Sequence, residues 1–565
     1  MIGCLTGDDN SAAMDRFDAI VIGSGATGGW VAKRLTAAGA RVVMLEAGRP
    51  ASDGDYREHV PASALPYRGL TKAPLAAARP EQSQSYACDE WNAGFYADDR
   101  LEPYTTPPGQ RFPWVGRIRM VGGRTNVWGR QSYRFSDLDF KAASRDGVGV
   151  DWPMGYADLA PYYDLVESYI GVSGQRENYP WLPDGTFQPP MPMTCPERAV
   201  RDRVRAKLDR LVTIGRTANL TAPLNGRASC HYCGPCERGC TTHSYFNSTF
   251  TTVADALATG KLTLITGAMA HRVLMDPATR QALGVEYVDR ATRAVHEVRA
   301  RAVILCAQTF ESTRLLLNSS STDFPAGLGN SSGLVGKYLQ VHFTDAGASA
   351  EFPEFPARPS LGAARRPNGI YVPRFRNVPG TAASGFLRGY GYQGNSSEGF
   401  RFGAPGYGEA YKKAIHDSVA SISLQGFGEC LPNELNRVEI DPQVVDAWGI
   451  PVLRVVIELR ENERAMLKDM ADSAAEMLEA AGGTRVRSRN NPRWASHEVG
   501  TARMGTDPKI SVLTPFQQLH DVGNVFVMDG SSFPSGGWTN PTLTMMALAV
   551  RSTDGLLERM KRGDV

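Results

Sequence analysis

The chain has 565 residues, more than a single hydrophobic core usually organises, so at least two domains are expected. Its formal net charge of +2, with 42% hydrophobic and 21% charged residues, is that of a globular protein without a nucleic-acid partner. No apolar run approaches the roughly 20 residues that span a bilayer, so no transmembrane segment is expected. The first 23 residues lack a charged segment followed by an apolar stretch, which predicts no signal peptide on this chain.

The N-terminal region predicts a nucleotide-binding βαβ unit. FDAIVI (17–22) and ARVVMLEAG (40–48) are apolar enough for buried strands, and the segment between them has the spacing of a helix. Three glycines in a G-x-G-x-x-G pattern join the first strand to this helix: Gly23, Gly25 and Gly28. Such glycines let the backbone approach a pyrophosphate, and Glu46, which ends the second strand, can accept hydrogen bonds from a ribose. The pattern favours NAD or FAD over NADP, and over a tight turn that binds nothing.

Three further regions carry apolar residues at regular spacing. Short strands and turns between residues 345 and 460 predict an antiparallel sheet. The next segment predicts a helix that ends at Gly482–Gly483 and has an apolar stripe of Met466, Met470, Met477 and Ala481. A second helix is predicted within 151–172, with one face formed by Leu159, Tyr163, Val166 and Ile170. We interpret both stripes as core packing.

Four of the nine cysteines lie within CHYCGPCERGC (230–240). Their spacing is C-x2-C-x2-C-x3-C, and they are Cys230, Cys233, Cys236 and Cys240. This run is typical of the iron–sulfur loop of bacterial ferredoxins, although Thr241 replaces the proline that follows the run there. Zinc sites more often use two separated pairs of cysteines, so zinc and disulfides are alternatives. The cluster is either [4Fe–4S] or [3Fe–4S], with His231 and His243 as possible substitute ligands.

Six longer motifs follow one another in a definite order. They are GGRTNVWGRQSYR (122–134), WPMGYADLAPYYD (152–164), AQTFESTRLLLNSS (307–320), SGLVGKYLQVH (332–342), HEVGTARMGTDP (497–508) and NVFVMDGSSFPSGGWTNPTLTMMALA (524–549). In this order the chain resembles the glucose–methanol–choline (GMC) family of FAD oxidoreductases over nearly its whole length. The likeness is weakest between 345 and 460, where the substrate domain of that family varies most.

The resemblance implies an α/β and α+β architecture, the GMC fold. A discontinuous Rossmann-like domain would bind FAD and include the cysteine loop 228–245; its segments are 14–60, 105–150, 195–345 and 485–565. A second domain, an antiparallel sheet backed by helices, would bind the substrate; its segments are 61–104, 151–194 and 346–484. The resemblance therefore predicts both the number of domains and the fold class.

The resemblance also assigns roles to residues. His497, which begins the H-x-x-G-T-x-x-M-G motif, would take the proton of an alcohol, and Asn540 of the N-P motif would hold the same hydroxyl oxygen. Hydride would then pass to the flavin N5. The residues expected to contact FAD, besides those of the βαβ unit, are Gly122, Gly123, Asn126, Asp529 and Gly530, with Val273 near the adenine.

Members of the family that carry such cysteines resemble the large subunits of bacterial sugar dehydrogenases acting on gluconate, fructose, glucose or the C3 hydroxyl of glucosides. There the cluster passes electrons singly from the flavin to a cytochrome. The resemblance thus implies oxidation of a secondary hydroxyl of a sugar or glycoside, first of all C3 of a glucoside.

The expected partners are a small subunit that carries the export signal and a cytochrome acceptor. The expected location is then the periplasm, reached by co-export, or the cytoplasm. The alternatives are a gluconate-type or other polyol dehydrogenase, an oxidase that uses O2, and, outside this class, a lyase or binding protein with structural FAD and zinc.

Overall fold

The computed structural model describes residues 17–68, 71–112, 114–358, 366–381, 384–400 and 405–565. The first domain is predicted to start at residue 14, which lies outside the described residues. The same is true of most of the N-terminal segment in which no signal peptide is expected. Within the described ranges, no helix combines the length and the apolar character that a membrane span requires.

The described part of the chain begins with a β-α-β unit, continues with five α-helices between residues 73 and 208, and has most of its strands after residue 260. The strands are β1 Phe17–Ile22, β2 Val42–Glu46, β3 Thr213–Ile214, β4 Leu262–Thr266, β5 Ala268–Met275, β6 Ala282–Asp289, β7 Val295–Leu305, β8 Gln340–Pro356, β9 Ile370–Val372, β10 Tyr390–Ser397, β11 Val419–Glu429, β12 Arg437–Val445, β13 Pro451–Val456, β14 Thr484–Val499 and β15 Val525–Val527. The helices are α1 Ala26–Ala37, α2 Ala73–Ala78, α3 Asp137–Phe140, α4 Ala142–Asp146, α5 Tyr156–Ile170, α6 Cys195–Leu208, α7 Thr252–Ala258, α8 Thr309–Asn318, α9 Gly408–His416, α10 Glu461–Ala480 and α11 Thr542–Arg562.

The first sheet, counted over the described residues, has seven strands in the order β4-β2-β1-β7-β6-β5, with β15 also paired to β7. The pairs among β4, β2, β1, β7 and β15 are parallel, and β5, β6 and β7 form an antiparallel extension. Strand β2 is buried along its whole length, because helices cover both faces of a parallel sheet. The predicted strand 17–22 is confirmed, and the carboxyl ends of β1 and β2 meet at one edge, where α/β sheets bind ligands.

The second sheet has six antiparallel strands, in the order β14-β8-β11-β10-β9-β3 within the described part of the chain. Helix α10 covers it, and the predicted stripe of Met466, Met470, Met477 and Ala481 is fully buried, as predicted. A side chain at Gly426 of β11 would lie 1.9 Å from the Met470 sulfur, so a glycine there lets the helix approach the sheet. The stripe of α5 is likewise buried, as predicted.

The predicted domain boundaries do not separate the strands of the two sheets. Strand β14 and the short β3 belong to segments grouped with the nucleotide-binding domain, yet both pair within the second sheet. The expectation of one antiparallel sheet over 345–460 is wrong in one respect, because β12 and β13 pair only with each other in a separate hairpin. This hairpin buries its apolar face against Tyr104, Phe112 and Phe310, long-range partners that local alternation does not reveal.

Candidate active site

A cavity of about 1620 Å³ is lined by residues from both sheets. Its lining includes the turn after β1, the end of β2 and the glycine loop around Gly123. On another side it is lined by β10, β11, His497 and Asn540. The cavity therefore joins the predicted nucleotide site to the predicted catalytic residues.

The turn after β1 has the form of a pyrophosphate site. A side chain at Gly23 would lie 2.5 Å from the Cys306 carbonyl oxygen, and one at Gly28 would lie 1.9 Å from the Gly23 oxygen. Gly25, by contrast, has no atom within 4 Å of its Cβ position, and it precedes α1, whose first turn contains no acidic residue. The free N–H groups of a helix N-terminus favour an anion, so this turn fits the pyrophosphate of FAD.

Glu46 lies at the cavity wall and joins two loops. Its carboxylate accepts hydrogen bonds from the Ser24 amide at 3.1 Å and from the Ser24 hydroxyl at 2.5 Å, and from the Gly48 amide at 2.6 Å. The Ser24 hydroxyl oxygen in turn accepts from the Gly122 amide at 2.9 Å. Glu46 is thus positioned to receive a ribose while it holds the nucleotide turn against the glycine loop.

The second glycine loop contributes differently from the prediction. Gly123 lines the cavity, whereas Gly122, with φ of +93°, is packed so that a side chain would lie 2.2 Å from the Thr249 hydroxyl. Asn126 does not line the cavity, because its amide donates to the Val121 and Gly123 carbonyl groups and accepts from Asn247. Asn126 therefore supports the loop from behind.

Of the remaining predicted cofactor contacts, two line the cavity and one does not. Asp529 and Gly530 lie in its wall, and the Asp529 carboxylate accepts hydrogen bonds from the Ser312 and Ser531 hydroxyl groups at 2.5 Å each. Burial raises the pKa of the Asp529 carboxyl. Val273 is buried in the core of β5 and takes no part in the lining, which is formed by 268–270 of the same strand.

The two predicted catalytic residues are brought together. The Asn540 amide nitrogen lies 3.3 Å from His497 Nε2, and the Gln393 amide donates to the Asn540 amide oxygen at 2.8 Å. His497 has a left-handed backbone with φ of +65°, at a register irregularity where β14 pairs with β8. Such irregularities re-aim a side chain, here from the sheet into the cavity.

A second histidine, which the sequence analysis did not identify, completes the arrangement. His342 Nε2 lies 2.7 Å from the Gly537 carbonyl oxygen, and His342 Nδ1 lies 2.9 Å from His497 Nδ1. Because a carbonyl only accepts, His342 carries its proton on Nε2, and its Nδ1 accepts from His497 Nδ1–H. The lone pair of His497 is therefore on Nε2, which faces Asn540. His342 ends the quoted motif 332–342, but nothing local distinguishes it from a core residue of a strand.

Both imidazoles are held neutral. Burial lowers the pKa of His342 to about 4. Burial also lowers the pKa of His497 well below its usual value, and repulsion from His342 in its protonated form and from the Arg124 guanidinium acts in the same direction. A neutral His497 with a free Nε2 lone pair can accept a proton at neutral pH.

The cysteine loop lies beside the glycine loop. Cys236 and Cys240 are buried against Tyr245, whose hydroxyl donates to the Asn126 carbonyl at 2.8 Å. The Cys230 sulfur accepts a hydrogen bond from the Tyr232 amide at 3.4 Å, and the Cys240 sulfur accepts one from the Ser244 amide at 3.2 Å.

None of the four cysteines of the loop is paired in a disulfide. Burial raises the pKa of the Cys236 thiol to about 12, which the Arg130 guanidinium partly opposes. Deprotonation in this buried loop therefore calls for a positive partner, which a bound metal supplies.

Comparison with known proteins identifies the family. Two family models described as GMC oxidoreductase match residues 17–344 and 432–549. The chain is 31% identical to 2-methyl-1,2-propanediol dehydrogenase of Mycolicibacterium austroafricanum, over 97% of this chain and 96% of that protein. It is 26% identical to the fructose dehydrogenase large subunit of Gluconobacter japonicus, over 97% of this chain and 98% of that protein. The structure of pyridoxine 4-oxidase from Mesorbium loti is similar, with a TM-score of 0.62 over 96% of this chain and 99% of that one, at 18% identity.

These matches confirm the resemblance, the predicted fold class and the requirement for FAD. The two family models cover the nucleotide turn, the glycine loop, His497 and Asn540, and they leave out residues 345–431, from which β10 and β11 line the cavity. The residues of the nucleotide turn fit the cofactor, and the histidine–asparagine pair fits the oxidation of an alcohol. The chain therefore belongs to the GMC oxidoreductase family and is an FAD-dependent oxidoreductase that acts on CH–OH groups.

Proposed function

We propose that the protein is a dehydrogenase that oxidises a secondary hydroxyl of a sugar or glycoside. The position we favour is C3 of a glucoside, which would give the 3-keto product. The observation that carries this proposal is the His497–Asn540 pair at a cavity wall to which β10 and β11 contribute uncharged polar side chains. These are Gln393, Asn395, Ser396, Ser397, Ser423 and Gln425. Amide and hydroxyl groups donate and accept hydrogen bonds, as recognition of a polyhydroxylated substrate requires.

In the proposed mechanism the chain positions and deprotonates the alcohol. The substrate hydroxyl replaces the Asn540 amide as the hydrogen-bond partner of His497 Nε2, which accepts the hydroxyl proton, and the released Asn540 N–H donates to the hydroxyl oxygen. Gln393 fixes the Asn540 amide so that its nitrogen, and not its oxygen, faces the histidine. When bound, FAD supplies the hydride acceptor, N5. Gly23, Gly25, Glu46 and Asp529 would hold this cofactor through the contacts described above.

His342 should determine the pH at which the enzyme works. Because the base must be unprotonated, kcat/KM should be constant at neutral pH. It should fall only when the pH drops to the pKa of His497, which lies well below the usual value of a histidine. In His342→Leu, His497 Nδ1–H loses the acceptor that fixes its tautomer and stabilises its protonated form, so the pKa of His497 falls further and the ring is a weaker base. We expect kcat/KM to fall about 10- to 100-fold and its acid limb to move to lower pH, as pH profiles would show.

His342→Asn is the matched control for this prediction, because its Oδ1 can accept from His497 Nδ1–H. It should recover most of the activity. An acid limb that stays in place in His342→Leu would contradict the positioning role, even if the activity falls.

We extend the proposal to an iron–sulfur cluster in the loop of Cys230, Cys233, Cys236 and Cys240, either [4Fe–4S] held by all four cysteines or [3Fe–4S] held by three of them. Backbone N–H groups that donate to two of the sulfurs support it, since such bonds stabilise and tune cluster thiolates. A tetrahedral zinc ion would bring the four sulfurs to about 3.8 Å from one another. Among the described residues, no three of these sulfurs lie within 4.8 Å, which favours a larger centre. When bound, the cluster would supply one-electron transfer.

The proposed partners follow from the same relatives. A small subunit would carry the export signal, and a cytochrome-type acceptor would receive the electrons. The likeness to a protein named a large subunit supports the small subunit. The protein would then be exported together with its partner, or act in the cytoplasm. Co-purification with its chromosomal neighbours would test this assembly directly.

A small diol is a second candidate substrate, because the relative with 31% identity is named for 2-methyl-1,2-propanediol. The deciding experiment measures flavin, iron and zinc content, and then bleaching of the flavin band when each substrate is added without oxygen. Methyl glucoside, gluconate, fructose and 2-methyl-1,2-propanediol form the panel, and the product of the best substrate is identified by NMR.

We expect about one flavin and three to four irons per chain, with bleaching by a glucoside and a 3-keto product. Bleaching by the diol alone would transfer the proposal to the diol. Rapid reoxidation by O2 would indicate an oxidase. Zinc without iron, or no bleaching by any alcohol, would favour a lyase or binding protein with structural FAD.

A further inference from the structure

Three metal-ligating side chains converge at the surface beside the cysteine loop. One imidazole nitrogen each of His59 and His231 and the Sγ atom of Cys233 all lie within 4.8 Å of one another. In the part of the chain that the structure describes, no other three histidine, cysteine or acidic residues meet this condition. His59 comes from the segment after β2, so the arrangement joins two parts of the chain 172 residues apart.

The separation of the two imidazoles matches that of ligands on one ion. The two Nε2 atoms are 3.2 Å apart. Two nitrogens bound tetrahedrally to zinc at about 2.0–2.1 Å would be separated by about 3.3–3.4 Å. A hydrogen bond between the rings would explain this distance alone, but it would not explain the approach of the thiol to both nitrogens.

A buried carboxylate beside the group supplies an independent observation. The Glu58 side chain is 0% exposed, and its Oε1 atom accepts from the Thr241 amide at 2.5 Å and lies 3.6 Å from His59 Nε2. Its Oε2 atom is buried without a hydrogen-bond partner. Among the described residues, the one cationic group within ion-pair distance of Glu58 is His59 itself. A buried carboxylate with a free oxygen is costly unless a positive charge lies nearby.

We propose that His59, His231 and Cys233 bind a single divalent cation of intermediate softness, zinc or its spectroscopic substitute cobalt, with Glu58 as the counter-charge. Two imidazoles and one thiolate are ligands that such ions prefer. On binding, the Cys233 S–H bond breaks, an S–metal bond forms, and the proton passes to solvent.

The site has a consequence for the cysteine loop. This consequence rests on the proposed function, because Cys233 is also one of the four proposed cluster ligands. A [4Fe–4S] cluster held by all four cysteines needs the Cys233 thiolate, so this cluster and the divalent ion exclude each other, and bound zinc would keep the loop free of it. A [3Fe–4S] cluster held by the other three cysteines would leave Cys233 to the divalent ion.

The test uses the full-length flavoprotein, freed of iron by chelation under anaerobic, reducing conditions and titrated with Co²⁺ and then Zn²⁺. We expect one Co²⁺ per chain with a thiolate charge-transfer band, which Zn²⁺ abolishes. His59→Gln should weaken binding by at least about tenfold. The matched control is His243→Gln, which changes a histidine of the same loop that bonds to Asp53 and lies outside the group.

Several results would overturn the proposal. These are no binding by the wild type, equal binding by wild type and His59→Gln, or loss of binding in Cys230→Ser with no loss in His59→Gln. Iron reconstitution separates the two proposals, because His59→Gln should still take up iron like the wild type. Loss of iron in this variant would make His59 a cluster ligand and refute the separate site. Flavin bleaching by substrate, recorded on every sample, tests the proposed function independently.

Discussion

In His497→Ala, kcat/KM for alcohol oxidation should fall by about 10²- to 10⁴-fold, the usual contribution of a general base. The reason is that the free Nε2 lone pair of His497 is the proton acceptor that the structure presents to the cavity beside Asn540. Stopped-flow bleaching of the flavin under anaerobic conditions measures this effect directly, since it reports the oxidation of the alcohol and not the later electron transfer.

The controls for this variant are its flavin content and the Asn540→Ala variant. His497→Ala should bind FAD normally, because the turn at Gly25 and the Glu46 carboxylate are far from His497 in the sequence and do not contact it. Asn540→Ala should lose less, because it removes a hydrogen-bond donor and leaves the base. A loss below about tenfold in His497→Ala would show that another group takes the proton.

The second large effect concerns Cys236→Ser. If the four cysteines hold a cluster, this variant should lose most of its iron, and electron transfer to a one-electron acceptor should fall by about tenfold or more. Bleaching of the flavin by substrate should continue, because the cysteine loop contacts the glycine loop through Tyr245 and Asn126 and does not contact His497. The measurements are iron content, bleaching rate and reduction of ferricyanide.

Cys430→Ser is the matched control, since Cys430 is as buried as Cys236 but lies in the second sheet region, away from the loop. It should keep both its iron and its electron transfer. Equal electron transfer in Cys236→Ser and Cys430→Ser would remove the loop from the electron path, whatever its metal content.

A smaller effect is expected at the nucleotide turn. Gly25→Ala places a methyl group where no protein atom lies within 4 Å, on a backbone with φ of −67° that alanine adopts freely. The apoprotein should therefore melt at an unchanged temperature while its affinity for FAD falls. Gly23→Ala, with φ of +97° and a backbone oxygen 2.5 Å away, should destabilise the fold itself. Apoprotein melting curves and flavin titration distinguish the two.

Features that depend on neighbouring residues were predictable from the sequence. The turn at Gly23 and Gly25 and the end of β2 at Glu46 follow from local apolar patterns and glycine spacing, and the structure has them. The stripe of α10 follows from helical periodicity, and it is buried. These features need no knowledge of distant contacts.

Features that depend on distant residues were not predictable in this way. His342 meets His497 across 155 positions, through a strand pairing that no local pattern reveals. His59 meets His231 only after the segment behind β2 folds over the cysteine loop. Asn126 shares its motif with cavity residues, but its partners, such as Asn247, turn it inward. Side-chain direction was the missing information in each case.

Strand β14 carries His497 and also forms one edge of the second sheet, which lines the substrate side of the cavity. Specificity and chemistry are therefore not separable modules in this protein. Transplanting the whole sheet from a relative would replace the proton acceptor and disturb the bulge that aims it. Redesign towards a new alcohol should instead alter individual side chains of β10 and β11, such as Asn395 and Ser423, and leave β8 and β14 intact.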